Sequence, residues 1–211
     1  HTGDKFQTEV DWTSGGHRPL MLSRNYLSAG FPRLMGTGIA NYGLGTYWRT
    51  RYDARLASYA DASITTKIAL RVDGSTLYFY RNGTSWTSRA EQSERLADRL
   101  DGTGAVVGWT LTTAEDVVEE YDLLGRLTSI ADRDGWRQEL AYGPNGLLAT
   151  VTDALGRELA FAYDADGWLT SVTTPDGAIQ YDIDVFGYLA TVSHPGGAQR
   201  QYRYMEPGYV A

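Results

Sequence analysis

Apolar and polar positions alternate in short runs along the second half of the chain. Trp136, Leu140 and Tyr142 share one parity, as do Leu159, Phe161 and Tyr163, and then Ile179, Tyr181 and Ile183. A period of two is that of a strand with one buried face, so each of these segments predicts a strand. The segments between them follow another rule: Leu127/Ile130, Leu148/Val151, Leu169/Val172 and Leu189/Val192 sit three apart and change parity. That spacing predicts either a bulge or strong twist, or a strand apolar on both faces. Upstream, residues 67–72, 76–81 and 84–89, separated by Asp73-Gly74 and Asn82-Gly83, predict two consecutive hairpins. Residues 108–112 and 117–121 predict a further pair, and Asp11-Trp12 and residues 20–26 predict short strands. Residues 91–100, with Leu96 and Leu100 four apart among charges, read equally as a short helix or as a loop and strand. Residues 28–46, glycine-rich and containing Pro32, read as a long irregular loop.

The strands belong to a repeat. Tyr121-Asp122-x-x-Gly125-Arg126-Leu127, Tyr142-x-x-x-Gly146-Leu147 and Tyr163-Asp164-x-x-Gly167-Trp168-Leu169 recur 21 residues apart, Ile183-Asp184-x-x-Gly187-Tyr188-Leu189 follows after 20, and a partial copy begins at Arg203-Tyr204. Intervening glycines at 135, 156, 177 and 197 bring a turn signal every 10 or 11 residues. Asp134-Gly135, Asn145-Gly146, Asp166-Gly167, Asp176-Gly177 and Gly196-Gly197 are dipeptides suited to primed hairpin turns, with glycine at positive φ. A leucine-rich repeat would need an L-x-x-L-x-L core, a propeller needs more blades than four such repeats supply, and a parallel β-helix would carry fewer hairpin dipeptides. An all-β antiparallel meander of hairpins fits best. It has an irregular β region over residues 1–107 and repeats over 108–211, and no linker separates them, so one continuous β-unit is expected.

Composition agrees with this and narrows the chemistry. Among 211 residues there are 24 Gly, 15 Tyr and 6 Trp, the mixture of many short aromatic strands joined by tight turns. A net charge of −7 argues against nucleic acid as a partner. No apolar run reaches the length of a membrane span, and the first ten residues lack the pattern of a signal peptide. The absence of cysteine removes disulfides, thiolate catalysis and cysteine-ligated zinc, and leaves the compartment open.

Candidate sites are few. Asp132-x-Asp134-Gly135 and Asp164-x-Asp166-Gly167 are spaced like the start of a calcium loop but lack a third ligand and the closing Glu, which favours turn chemistry. His17 and His194 lie near Ser14 and Ser193, yet there is no G-x-S-x-G elbow to present a nucleophile. Gly36-Thr37-Gly38 and Gly43-Leu44-Gly45 do not continue into a phosphate loop, and Asn82-Gly83-Thr84, formally a glycosylation sequon, reads first as a turn. No enzyme, cofactor or metal site is therefore expected. The aromatic residues leave a second class of function open, a carbohydrate-binding β-module, set apart from a scaffold by aromatics clustered on an exposed face.

The Tyr-Asp-x-x-Gly-Arg-Leu signature, repeated in register, resembles the YD repeat of the RHS family, known from bacterial polymorphic toxins and cell-surface proteins. Its structural positions here are Tyr121, Asp122, Gly125, Tyr142, Gly146, Tyr163, Asp164, Gly167, Asp184 and Gly187. The departures are Ile183 for Tyr and Gly143 for Asp. Pro19-Leu20, Arg24-Asn25-Tyr26, Gly43-Leu44-Gly45, Trp48 and Tyr52-Asp53 resemble, more loosely, the region preceding the repeats. The resemblance implies a curved, spiralling sheet that forms part of a β-shell around a C-terminal toxin, secreted or displayed through a dedicated bacterial export system. Its implied partners are adjoining repeats and the cargo of a longer parent protein. A cargo of about 100 residues has a radius of gyration of about 13 Å, so a strip roughly 20 Å from its axis needs on the order of 26 strands at about 4.8 Å spacing. That exceeds the strands expected here. A final strand over residues 199–204 is expected to self-associate edge to edge.

Overall fold

The computed structural model describes residues 5–30, 43–60 and 65–204. It is all-β: eighteen strands and no helix among the described residues. In chain order, β1 to β3 are Phe6–Thr13, Met21–Leu27 and Trp48–Thr50, and β4 to β7 are Arg55–Ala60, Thr65–Leu70, Thr76–Asn82 and Ser85–Thr87. Strands β8 to β12 are Arg95–Leu100, Val106–Thr112, Val118–Tyr121, Leu127–Ala131 and Arg137–Tyr142. Strands β13 to β18 are Leu148–Asp153, Glu158–Tyr163, Leu169–Thr174, Gly177–Ile183, Leu189–Ser193 and Gln199–Gln201.

The chain forms two compact units interleaved along the sequence. The first comprises residues 1–53, 72–74 and 141–211, the second residues 54–71 and 75–140. In the first, β1, β2 and β3 form an antiparallel sheet in that order, and β13 to β18 pair antiparallel in chain order without a crossover. In the second, β4 to β7 form one sheet in chain order, and β8 to β12 run likewise. Every sheet is antiparallel and open-ended rather than closed into a barrel.

The three-residue spacing in the repeats is a bulge. Ala162 pairs with Ser171 but Tyr163 with Leu169, which leaves Thr170 as the extra residue; Thr128 and Ala190 occupy the same place after Leu127 and Leu189. One extra residue brings positions three apart onto the same face. Leu169 and Val172 are thus 2% and 0% exposed, and Leu189 and Val192 are both fully buried. The hydroxyls of Thr128 and Thr170 donate to the carbonyls of Glu120 and Ala162 at 3.1 Å, securing the kink. Each such apolar side chain taken fully from water contributes roughly 1.5–3 kcal/mol.

The turns differ from the primed type that the dipeptides suggest. Among the described residues Asp116 alone, apart from glycines, has positive φ, so Asp134, Asn145, Asp166 and Asp176 cannot supply the first position of a type I′ turn. Instead the unit is Asp-x-x-Gly. The Gly125 N–H donates to the Asp122 carbonyl at 2.8 Å and the Asp122 N–H to the Arg126 carbonyl at 3.0 Å, and the pattern repeats at Asp132, Asp153, Asp164 and Asp184. These are three-residue loops whose last residue is left-handed, with φ from +71° to +83° at Gly125, Gly135, Gly156, Gly167 and Gly187. The two-residue loops are Gly83-Thr84, with Gly83 at φ +59°, and Pro175-Asp176.

Residues 91–100 resolve to a loop followed by β8, because Leu96 is buried opposite Leu111. Of residues 28–46, positions 28–30 and 43–46 are irregular, as expected. Pro32 and Gly36-Thr37-Gly38 lie outside the described residues.

Candidate functional site

The aspartate of each repeat is consumed by its own turn. Oδ1 of Asp122 accepts the N–H groups of Leu124 and Arg126, both at 2.9 Å, and Asp132, Asp153, Asp164 and Asp184 each accept the equivalent pair. This is Asx-turn chemistry, and it leaves Asp132 and Asp164 poorly suited to a cation. No group of three or more metal-ligating side chains exists among the described residues. Where Gly143 replaces the aspartate the loop survives on backbone bonds, Gly146 N–H to Gly143 at 2.9 Å, with the Asn145 side chain accepting the Leu147 N–H at 3.2 Å. Of the repeat tyrosines, Tyr121 is fully buried, whereas Tyr142 and Tyr163 are half-buried. The Tyr121 hydroxyl donates to Glu119, which takes two bonds from Arg71, and burial pushes its pKa well up.

The serine–histidine pairings have no support. His17 is exposed between β1 and β2, and Ser14 Oγ accepts the Leu20 N–H at 2.9 Å. His194 opens the turn before β18, with the Gly197 N–H on its carbonyl, and Ser193 accepts from Gln199 at 3.1 Å.

Two clusters carry unusual electrostatics. In the first unit, Arg24 on β2 is fully buried and stands 4.7 Å from the Trp48 ring centroid and 5.4 Å from that of Tyr202. Its Nε donates to Asp11 at 2.6 Å, and its Nη2 to Glu9 at 3.0 Å and to the Tyr202 hydroxyl at 2.9 Å. Tyr202 in turn donates to Glu9, Tyr181 donates to Asp11 at 2.8 Å, and Arg200 pairs with Glu9 at 2.7 Å. Trp48 adds a bond to the Tyr204 hydroxyl at 3.0 Å. Burial alone would raise the pKa of Glu9, but the hydrogen bonds from Tyr202 and Arg200 and the Arg24 charge outweigh it and hold the carboxyl below its usual range. The cluster fastens β1–β3 to the last repeats, which is a structural task. The pairing of Glu9 and Asp11 with Arg24 across a hairpin was within reach of sequence reasoning; Tyr202 was not.

In the second unit a cavity of about 340 Å³ is lined by Ser58, Thr65, Lys67, Trp86, Trp109 and Leu123, among others. A neighbouring space of about 440 Å³ shares Arg81, Trp86, Asp98 and Val106 with it. The Lys67 ammonium donates to Ser58 Oγ at 2.6 Å and lies 3.1 Å from the Trp109 ring centroid. Burial is the main influence on the amine and brings its pKa down to about 8, against the opposing pull of Asp98. Asp98 accepts from Arg81 at 2.5 Å and from Trp86 Nε1 at 2.7 Å, and Arg81 stacks 4.9 Å from the Trp86 centroid. This grouping was not visible in the sequence.

Comparison with known proteins adds the following. The RHS Repeat family model matches residues 121–154 and 142–179, and a domain of unknown function, DUF6531, matches residues 1–79. The chain is 32% identical over 168 residues to the probable deoxyribonuclease RhsA of Dickeya dadantii (strain 3937), covering 74% of this chain and 11% of that protein. It is 30% identical over 89 residues to the double-stranded DNA deaminase toxin A of Burkholderia cenocepacia (strain H111), covering 42% of this chain and 6% of that protein. It is 26% identical over 160 residues to Teneurin-m of Drosophila melanogaster, covering 74% and 5%. The chain thus spans between 5% and 11% of the length of these relatives.

Proposed function

Because the chain belongs to the RHS/YD-repeat proteins, we propose that it is a non-catalytic section of a β-sheet shell that encloses or presents a C-terminal toxin in bacterial competition. The observation that carries this reading is the repeat itself. Successive Asp-x-x-Gly loops and Leu-to-Val bulges recur at the same offsets, so each repeat adds two antiparallel strands with the same face buried. A wall needs no reactive side chain: closing backbone hydrogen bonds and covering edges suffices to exclude a protease. The Asp122 carboxylate and the Thr128 and Thr170 hydroxyls are engaged with backbone, which supports a structural role for these repeat positions. The aromatics favour a scaffold over the glycan-binding alternative. Tyr26, Trp48, Tyr52, Phe79 and Tyr121 are at most 1% exposed, and among the described residues the large exposed aromatics, Phe6, Tyr59 and Phe186, lie on separate elements, β1, β4 and the turn before β17. Secretion or surface display through a dedicated export system belongs to the same proposal.

The test is protection. In the full-length protein that carries this chain, a protease that degrades the separately expressed C-terminal portion should leave that portion intact in the assembled molecule. Degradation at equal rates in the two settings would refute the shell.

Partners in the proposal are the adjoining repeats and the cargo, and β18 is the strand to which a further one would add. The Tyr202 N–H donates inward to the Ala190 carbonyl at 2.9 Å, so by alternation the backbone groups of Gln201 face outward. Among the described residues no strand pairs with the outer edge of β18, and this edge should pair with that of a second copy. Gln201→Pro removes an outward donor while sparing the Arg24 cluster, which a change at Tyr202 would break. Sedimentation equilibrium should show concentration-dependent dimers for the native chain and several-fold fewer for Gln201→Pro. Equal association by the two would exclude this edge.

A further inference from the structure

We propose that the cavity between β4–β6 and β8–β9 of the second unit is a binding site for a small monocarboxylate with an apolar body. In this site Lys67 supplies the ion pair, and Trp86, Val106 and Leu123 supply the walls. It is independent of the shell reading.

The case begins with an incompletely satisfied cation. An ammonium has three donors. The structure gives Lys67 one acceptor, Ser58 Oγ, and one aromatic face, that of Trp109, and no carboxylate within ion-pair distance among the described residues. Lys67 is 4% exposed and lines the cavity, so its remaining donors are within reach of a ligand there. A buried cation without a counter-ion is held at a cost, and a ligand that completes its coordination recovers that cost on binding. Asp98, the carboxylate acting on Lys67, is already committed to Arg81 and Trp86.

Charge sets the ligand class. With Arg81 and Asp98 neutralising each other, Lys67 leaves the site one net positive charge. A monoanion balances it, whereas a phosphate or sulfate dianion would leave a net negative charge in a partly buried site. The remaining surface sets the body: Trp86, Trp109, Val106 and Leu123 provide apolar contact, Ser58 holds the cation, and Thr65 adds a polar residue to the lining. A volume of about 340 Å³ lies at the small end of ligand sites. A phenyl or short aliphatic acid is of matching size.

The test uses the whole chain and three probes: phenylacetate, its neutral isostere phenylacetamide, and inorganic phosphate. Tryptophan fluorescence and titration calorimetry should show saturable phenylacetate binding, about tenfold or more weaker binding of the amide, and no competition by phosphate. Lys67→Met, with an unchanged near-ultraviolet circular dichroism spectrum, should lose about tenfold or more in phenylacetate affinity. A measurement on the native chain stands apart from that variant's folding. The amine titrates near pH 8 and faces Asp98 and Arg81, so a bound carboxylate should raise its pKa. Binding at pH 8 should then take up a fraction of a proton, seen as a dependence of the heat on buffer ionisation enthalpy. No saturation up to about 10 mM, equal affinity for acid and amide, or binding without proton uptake would overturn the proposal.

Discussion

Gly125→Val should cost the second unit roughly 3–5 kcal/mol, close to the whole stability of a small domain, whereas Gly135→Val should cost about 1–2 kcal/mol. Both glycines are left-handed, at φ +71° and +80°, so both substitutions carry the strain of a β-branched residue in that region. They differ in what a side chain would meet. A Cβ at Gly135 has nothing within 4 Å, but at Gly125 it would sit 1.8 Å from the Leu56 carbonyl oxygen and 2.9 Å from its carbon. The backbone cannot retreat without loss, because the Leu56 N–H donates to the Gly125 carbonyl at 2.9 Å and Arg55 bridges to Arg126 beside it. Alanine should therefore be nearly as damaging as valine at 125, since the first carbon already collides, while Gly135→Ala should be mild. Urea unfolding of the four variants measures this. Equal losses at the two positions would mean that β4 does not rest on the turn.

Much of the fold was legible because its signals are local. The alternation in β12, β14 and β16, the bulge spacing Leu169 to Val172 and the positive-φ glycines all lie within one hairpin, where sequence neighbours decide geometry. The turn type differs for a local reason too. Asp134-Gly135 and Asp166-Gly167 point to the residue before glycine, whereas the bonds run from the residue three before it, Asp132 and Asp164. Asp116 shows the same rule with an aspartate at the left-handed position, φ +60°. In β8, Leu96 and Leu100 matched a helical spacing, and pairing with β9 overrode it. The clusters were hidden because they join distant segments. Lys67, Trp86, Asp98 and Trp109 come from four strands and Arg24 meets Tyr202 across 178 positions. No periodicity within a window reveals such contacts.

Arg24→Met should destabilise the first unit by about 3–5 kcal/mol at pH 7. The arginine is the central cation for two carboxylates whose side chains are 5% and 2% exposed, Glu9 and Asp11, and its loss would strand buried negative charge. Arg200 would still reach Glu9, but Asp11 would keep only the Tyr181 hydroxyl among its bonds to the cluster. The pH dependence separates lost charge pairing from lost packing. In the native chain Glu9 has a depressed pKa, so its contribution is fully present above the ordinary carboxylate range near 4.5 and is lost as pH falls through the lower folded value. In the variant Tyr202 and Arg200 still hold Glu9, but without the Arg24 charge its ionised form is less stabilised against burial, so protonation costs the variant less than it costs the native chain. The stability gap between native chain and variant should therefore be widest near neutrality and narrow as the pH drops through about 4.5. Adding Glu9→Gln and Asp11→Asn to Arg24→Met should recover part of the loss at pH 7, since Arg24 Nη1 already lacks an acceptor among the described residues and the native arrangement is not fully satisfied. Urea unfolding at several pH values reads all three chains. A gap below about 1 kcal/mol, or one that does not change with pH, would show that Arg24 does not hold these carboxylates against the last repeats.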